Sequence, residues 1–559
     1  MKKFIVLVIF ICSSLLLAQE NSQTMTLHVF FTNDVHGHIT EQSAEFLNPE
    51  FPPLLGGGAA AYAIIKDVRE QIAETQDASL LLDAGDIFQG TLVGTRSQGE
   101  VVVEYMNRVG YDAVAPGNHD FDLGRDNLEK LIKESDFPWI SCNIIDKETG
   151  KVWSMLKPYM VKNINGIKIG FTGATTVGTE YMSFVENVRG LNFVPEIPAL
   201  QKAVDHLRDV EKVDLVIAQV HTGLPYDTKE GYENLLNTTY KELIDRGYAD
   251  AMEIAHYVRG IDLLLGGHLH RGYQKPWVDP VNHTIAVQNY GNGGNLGWIK
   301  LNIDRRSGAI MGYDLPSGEG MLLLLQSDEF RPDSTILAYI REQQKEYESG
   351  FDEVIGTSEN SLTRAGIHES PMYNLVTDAM RTELKADFAF TNYGGIRADI
   401  KAGPISREDI FKVLPFGNQL VEFKVTGEFL KEIIEQKIRG NGRGMAISGG
   451  KIVYNKNLPN GERVVSFTID GEPLQADKLY RVVTTDYLME GNSGLSILEK
   501  IPQEKVAYTG LLTRNAMMEY IRKNSPLNVG LSGRWTKKDN AQPDPDWIKQ
   551  FRQPQASAR

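Results

Sequence analysis

Cysteine is almost missing from this chain. Its 559 residues include two, and one of them, Cys12, lies inside an N-terminal apolar run. With only Cys142 beyond that run, an internal disulfide is excluded and the fold must be held by packing. An excess of positive charge is missing as well. The 58 Lys and Arg are outnumbered by 73 Asp and Glu, for a net charge of −15. That argues against nucleic acid as the main partner, because binding a phosphate backbone needs basic patches. Small phosphorylated ligands are not excluded, since they need only local positive charge. Beyond the N-terminus no run is apolar enough to span a membrane. No repeat with a period of about 20–50 residues is visible.

The remaining composition, 42% hydrophobic and 23% charged, is that of a soluble globular protein. The length calls for two or three domains. At the N-terminus Lys2 and Lys3 precede an apolar run at 4–17, then Ala18. This is the plan of a secretory signal peptide spanning 1–18. A lipid anchor at Cys12 is disfavoured because no small residue precedes it. The expectation is an exported protein, periplasmic or secreted.

From 26 to 325, short apolar runs alternate with helical patterns, which favours a mixed sheet covered by helices. Helices are expected at 59–74, 101–108 and 198–211, and 223–250 reads as a surface excursion carrying one helix. The informative feature is how each apolar run ends. Leu27-His28-Val29-Phe30-Phe31 leads to Asn33-Asp34-Val35-His36-Gly37-His38, and Leu80-Leu81-Leu82 leads to Asp83-Ala84-Gly85-Asp86. Ala113-Val114-Ala115 leads to Gly117-Asn118-His119-Asp120-Phe121-Asp122. A fourth run, 215–220, ends at His221-Thr222, and a fifth, 261–265, at Gly266-Gly267-His268-Leu269-His270. In open α/β sheets the C-terminal strand edge is where ligands bind.

Asp34, His36, Asp86, Asn118, His221, His268 and His270 are nitrogen and oxygen donors suited to Zn²⁺, Mn²⁺, Fe or Co²⁺. Seven are too many for one ion and about right for two. Asp86, alone on its loop, is the natural bridging carboxylate. Two ions about 3.5–4 Å apart can hold a bridging water or hydroxide and clamp both oxygens of an in-line displacement, as phosphate-ester hydrolysis requires. His119 and Asp122 are then left over. An Asp on one imidazole nitrogen orients the ring and keeps it charged, while the other nitrogen donates to a phosphoryl or leaving oxygen. A single Asp-x-His is more often structural than catalytic, but five coordinated strand ends make chance remote. His38 is balanced between approaching a substrate and a structural hydrogen bond. Asp83 and Asp120 read as supporting or structural groups. His28, His206, His256, His283 and His368 read as surface or core residues.

A boundary with a charged helix falls at 327–350, and a second domain occupies 351–535. It carries Asn392-Tyr393-Gly394-Gly395-Ile396-Arg397, then Val413-Leu414-Pro415-Phe416-Gly417-Asn418, then Tyr487 and Gly491-Asn492-Ser493-Gly494. Glycine-rich turns beside one Arg and isolated aromatics suggest a small-ligand surface. On the residues alone, Arg397 could equally pin a turn, and Phe416 and Tyr487 would be core aromatics. The polar tail at 536–559 reads as disordered.

The metal pattern, from Asp34-x-His36 through Gly85-Asp86, Gly117-Asn118-His119-x-x-Asp122 and His221 to Gly267-His268-x-His270, closely resembles the calcineurin-like metallophosphoesterases. With the second domain, the chain resembles the 5'-nucleotidase family over nearly all its mature length. The resemblance implies an α/β chain: a four-layer α/β/β/α sandwich at 24–326, a helical linker at 327–350 and an α/β substrate-binding domain at 351–535 that rotates to close on the metals. It assigns Asp34, His36, Asp86 and His270 to one ion, and Asp86, Asn118, His221 and His268 to the other, with the ions being Zn, Mn or Co. It makes His119 and Asp122 the catalytic pair. It places Asn392, Gly395, Arg397, Phe416 and Tyr487 at the substrate, with Arg364 near a further Arg of the family. Tyr487 stands where the family usually has Phe, and stacking needs only a flat ring. Ser493 stands where the family has a ribose-holding Asp. The implied activity is hydrolysis of nucleoside 5'-monophosphates, extending to UDP-sugars, nucleotide pyrophosphates or 2',3'-cyclic nucleotides. A thiosulfohydrolase-like relative and a non-catalytic nucleotide-binding surface protein are the alternatives.

Overall fold

A computed structural model describes residues 24–44, 47–48, 50–318, 320–439, 442 and 444–551. The expected signal peptide at 1–18 therefore lies outside the described residues. The chain divides into two compact units. The first comprises the chain up to Phe88 with Gln98–Thr179 and Arg189–Glu342, and the second comprises Gln89–Ser97, Glu180–Val188 and the chain from Gln343 onward. The division falls inside a helix, Ser334–Tyr347.

The first unit is built on β1 (Thr24–Thr32), β2 (Ala78–Asp83), β3 (Ala113–Val114), β4 (Ile167–Thr175), β5 (Leu215–His221), β6 (Leu263–Gly266) and β7 (Asn295–Asp304). One sheet runs Ile310–Asp314, β7, β1, β2, β3, with Leu322–Leu324 also paired to β7. The other runs Trp277–Val278, Ile285–Gln288, β6, β5, β4, Tyr159–Ile164. Within them β1, β2 and β3 are parallel, as are β4, β5 and β6.

Alternation decides how the sheets stack. Leu27, Val29 and Phe31 of β1, with Leu80 and Leu82 of β2, meet Ile169 and Phe171 of β4, Leu215 and Ile217 of β5, and Leu263 and Leu265 of β6 in one buried core between the sheets. The intervening residues of the second sheet, Val216, Ala218, Val220 and Leu264, face outward onto Leu200, Val204 and Ile254 of covering helices. On the far side of the first sheet, α1 (Gly57–Ile72) buries Ala60, Ala61, Ile64, Ile65 and Val68 at helical spacing and packs on β2 and β7. Helix α2 (Glu100–Val109) joins it through Tyr105, whose hydroxyl donates to Gly58 O at 3.1 Å. These are the four expected layers.

Two expectations need adjusting. The helix expected at 198–211 runs Glu196–Asp205 and then widens into a π turn, His206–Val210. The excursion at 223–250 holds two helices, Thr228–Leu236 and Tyr240–Arg246. The second begins in a Thr239–Glu242 capping box.

The second unit contains β8 (Phe388–Thr391), β9 (Gln419–Thr426) and β10 (Leu479–Thr485) in a five-stranded sheet ordered Ala446–Ser448, β8, β10, β9, Val506–Leu512. Phe388, Phe390, Val421 and Phe423 on one face pack with Ile452 and Phe467 of a four-stranded sheet and with Leu474 just beyond one of its strands. Ala389, Leu420 and Val483 on the other face pack with Met372, Leu375 and Val376 of one helix, Pro371–Leu384, and Met517 and Ile521 of another, Thr513–Asn524.

The polar tail is not disordered in its described part. Trp535–Lys537 pairs in parallel with Gly450–Tyr454, and Pro545–Lys549 is helical. Trp547 Nε1 donates to Leu474 O at 3.0 Å, and Trp547 and Phe551 pack against the core. A polar composition misled here because two aromatic anchors suffice to fix a short segment. Two of the histidines without a pattern make structural contacts: His256 pairs with buried Asp279 at 2.8 Å, and His28 stacks on Trp298.

Candidate metal centre

The seven donors sit at the C-terminal ends of parallel strands. Asp34 and His36 follow β1, Asp86 follows β2, Asn118 follows β3, His221 ends β5, and His268 and His270 follow β6. Strand pairing continues into the loops: Asp34 N donates to Gly85 O at 2.8 Å, and His36 N to Asp86 O at 2.9 Å. Asp34, His36, Asp86, His268 and His270 all have φ between 49° and 71°. Such backbone costs on the order of 1–3 kcal/mol per non-glycine residue and persists only where its surroundings over-determine it. Gly85, at φ 96°, and Gly117 make the crossing possible. A Cβ on Gly117 would lie 2.2 Å from Asp86 Oδ1, and one on Gly85 2.5 Å from Gly117 N.

Two clusters result. Donor atoms of Asp34, His36 and His270 lie within 4.8 Å of one another, and so do those of Asp86, His221 and His268. The Nε2 atoms of His36 and His270 face each other at 3.0 Å. Asp86 Oδ2 lies 3.1 Å from His221 Nε2 and 3.8 Å from His36 Nε2, so Asp86 stands between the clusters. Asn118 Oδ1 lies 2.9 Å from His268 Nδ1, which adds it to the second cluster. His221 Nδ1 is 2.7 Å from Ala84 O. A carbonyl only accepts, so Nδ1 carries the hydrogen and directs Nε2 inward. That Nε2 is buried without an aligned hydrogen bond, and unpaired buried polar atoms are rare. Converging imidazole nitrogens and carboxylate oxygens, with His221 Nε2 held 3.1 Å from Asp86 Oδ2 outside hydrogen-bond alignment, fit a pair of divalent cations.

The electrostatics show how strongly these groups act on one another. Burial opposes the charge on His221, but Asp86 and then Asp34 outweigh it and push His221 up to about 10. Burial also opposes ionisation of Asp86, and the imidazoles of His221, His119 and His36 overcome it, holding Asp86 well below the usual carboxylate range. Asp34 lacks that surplus, and burial pushes it up to about 6.

His119 Nδ1 is 2.8 Å from Asp122 Oδ2, on a short 3₁₀ turn, His119–Phe121, that sets the pair on one side. The His119 ring is 5.5 Å from the His36 ring, so the pair adjoins the first cluster. His38 Nδ1 lies 3.2 Å from Val35 O, a local structural contact. Two supporting residues also appear, Asn33, which the sequence reading did not single out, and Asp120, which it read as supporting or structural. Asn33 Nδ2 donates to Asp34 Oδ2 at 2.7 Å and orients that carboxylate. Asp120 is fully buried and accepts from the backbone of both neighbouring loops. For Asn33 the signal was its adjacency to Asp34.

In the second unit, the Arg397 guanidinium lies over the Phe416 ring at 5.8 Å. Gly395 and Phe416 line one small hollow with Asn418 and Thr485. Asn392 lines a larger cavity of about 450 Å³ with Lys437 and Ser493. Arg364 is turned to Asp399, with Nε 2.8 Å from Oδ1, and to Arg397 O at 2.6 Å. Tyr487 is half-buried against the core.

The class follows from these features: residues 27–272 match the family profile of calcineurin-like phosphoesterases, and the chain is a phosphoric ester hydrolase. Residues 354–500 match the C-terminal domain of 5'-nucleotidases. The chain belongs to the 5'-nucleotidase family. It is 27% identical over 533 residues to Protein UshA of Yersinia enterocolitica, covering 92% of this chain and 94% of that one. It is 28% identical over 557 residues to the 5'-nucleotidase of Bos taurus, covering 91% and 90%. The crystal structure of a 5'-nucleotidase precursor from Thermus thermophilus superposes with a TM-score of 0.77 at 25% identity, covering 92% of this chain and 99% of that one.

Proposed function

We propose that the protein is an exported, dinuclear metal-dependent phosphohydrolase that converts nucleoside 5'-monophosphates to nucleoside and phosphate. The observation that carries this reading is the convergence of seven nitrogen and oxygen donors from five strand ends, with a His–Asp pair beside them. Asp34, His36, Asp86 and His270 would hold one cation, and Asp86, Asn118, His221 and His268 the other. Bound Zn²⁺, Mn²⁺ or Co²⁺ would activate water and neutralise charge on the phosphoryl oxygens.

The chain's own residues do the rest. Asp122 accepts from His119 Nδ1 and favours the charged ring, which leaves Nε2–H to donate to a phosphoryl or leaving oxygen. Near-complete burial of Asp34, Asp86 and His221 keeps bulk water from screening these charges. In the second unit, Phe416 and Tyr487 offer flat faces to a base. Asn392, Gly395 and Arg397 offer donors and acceptors, and Arg364 braces Arg397. The names of the relatives support a nucleotide, and UDP-sugars and 2',3'-cyclic nucleotides fall within the same chemistry. Export rests on the leader at 1–18. No helix among the described residues is long and apolar enough to cross a membrane.

The test is phosphate release from a panel of AMP, UMP, UDP-glucose and 2',3'-cyclic AMP with Mn²⁺, Zn²⁺ or Co²⁺ supplied. Turnover is expected to be fastest with a 5'-monophosphate. No release from any of them would overturn the reading.

A further inference from the structure

We propose that Asp120 is a positioning residue that fixes one cation site of the two, the one formed by Asp86, Asn118, His221 and His268. The inference rests on the dinuclear reading above and deepens it.

Pairing between β2 and β3 ends where Ala115 N donates to Asp83 O at 3.0 Å. Beyond that point the loops carrying Asp86 and Asn118 diverge from ladder geometry. The Asp120 carboxylate takes over the link. Its Oδ2 accepts from Asp86 N at 3.0 Å and from Gly117 N at 2.8 Å, and its Oδ1 accepts from Ile87 N at 2.9 Å. Asp120 has no exposed surface. The same turn grips the ligand itself, because His119 N donates to Asp86 Oδ1 at 2.7 Å. One carboxylate thus sets both the backbone height of Asp86 and its distance from the turn that presents Asn118.

The two clusters do not depend on this link equally. Asp86 and Asn118 both belong to the second cluster, and Asp120 ties their loops directly. The first site shares Asp86, but its other ligands are further off: Asp34 and His36 reach Asp120 only through one more set of bonds, Asp34 N to Gly85 O and His36 N to Asp86 O, and His270 stands on another strand end. Loosening Asp120 therefore disturbs the second cluster first. A carboxylate is suited to this place because it only accepts. Asp120→Asn has the same shape but one accepting oxygen and one amide that donates, against three backbone donors. At least one N–H is then left facing another N–H, and the loops must part.

The experiment is calorimetric titration of the cation-stripped wild type and Asp120→Asn with Mn²⁺, alongside amide hydrogen exchange on the wild type. Affinity at one of two sites should fall about 10–100-fold, the range for changing a group that orients a ligand. The other site should stay within about threefold, and the amides of Ile87 and Gly117 should be protected in the stripped wild type. Two unchanged affinities, or two equal losses, would overturn the role given to Asp120. So would fast exchange at Ile87 and Gly117, which decides the matter even if the variant does not fold. A wild type that binds no cation would instead remove the dinuclear reading, and this inference with it.

Discussion

Replacing His119 by Ala should separate chemistry from metal binding. The side chain is 19% exposed and its partner Asp122 14% exposed, so its loss opens no sealed cavity and strands no fully buried charge. The bond that steadies Asp86 comes from the His119 backbone, with N 2.7 Å from Asp86 Oδ1, and survives in the variant. Cation content should therefore be unchanged. What disappears is a donor aimed at a developing negative charge. Positioned proton donors contribute about 10²–10⁴ in rate, which at about 1.4 kcal/mol per decade is about 3–5 kcal/mol of transition-state stabilisation. In steady-state assays with AMP, kcat should fall by that factor and KM should stay within about threefold, as expected when only a transition-state contact is lost. An ester with an acidic leaving group should lose less, because it departs without a proton. A kcat within about threefold of wild type, or a variant that has lost its cations, would refute the role given to His119.

Three further outcomes are expected. Burial pushes Glu196 from 4.5 up to about 7, against hydrogen bonds from Val177 N and Ala249 N. The folded state then holds its proton more tightly than the unfolded state, so stability falls as pH rises through that window, by about 3 kcal/mol. Urea unfolding of wild type and Glu196→Gln should diverge between the two pH limits, and parallel curves would contradict the assignment. Trp547→Ala removes a hydrogen bond to Leu474 O and a packed ring. It should cost about 2 kcal/mol in the unfolding of the second unit followed by calorimetry, and no loss would mean the tail is not docked. Ser493 has φ 55°, a conformation Asp tolerates well. Ser493→Asp should lower KM for AMP but not for its 2'-deoxy counterpart, and an unchanged AMP value would show that Ser493 does not face the ribose.

Much of the donor cluster in the first unit is legible in the sequence because its pattern is local. Asp34, His36, Asp86, Asn118, His221, His268 and His270 each follow an apolar run, and parallel strands bring those run ends to one edge. What stays hidden depends on contacts between distant segments. Asp120 differs from an idle acidic residue only through three backbone donors on two loops. Asn33 matters because its amide meets Asp34. The tail is polar in composition, yet Trp547 finds Leu474 from 73 residues away. Arg364 enters only through the resemblance, near a further Arg of the family, and the bonds of its guanidinium to Asp399 and the Arg397 carbonyl depend on a segment some 33 residues away.

The central claim is that two cations held by these seven donors make the chain a phosphohydrolase. The most direct test is phosphate release from AMP, measured on one preparation while the chelator-stripped protein is titrated with Mn²⁺, Zn²⁺ or Co²⁺. No release after stripping, and activity that rises until the second equivalent per chain is bound, is the expected result. Saturation at a single equivalent, or undiminished turnover after chelation, would contradict it.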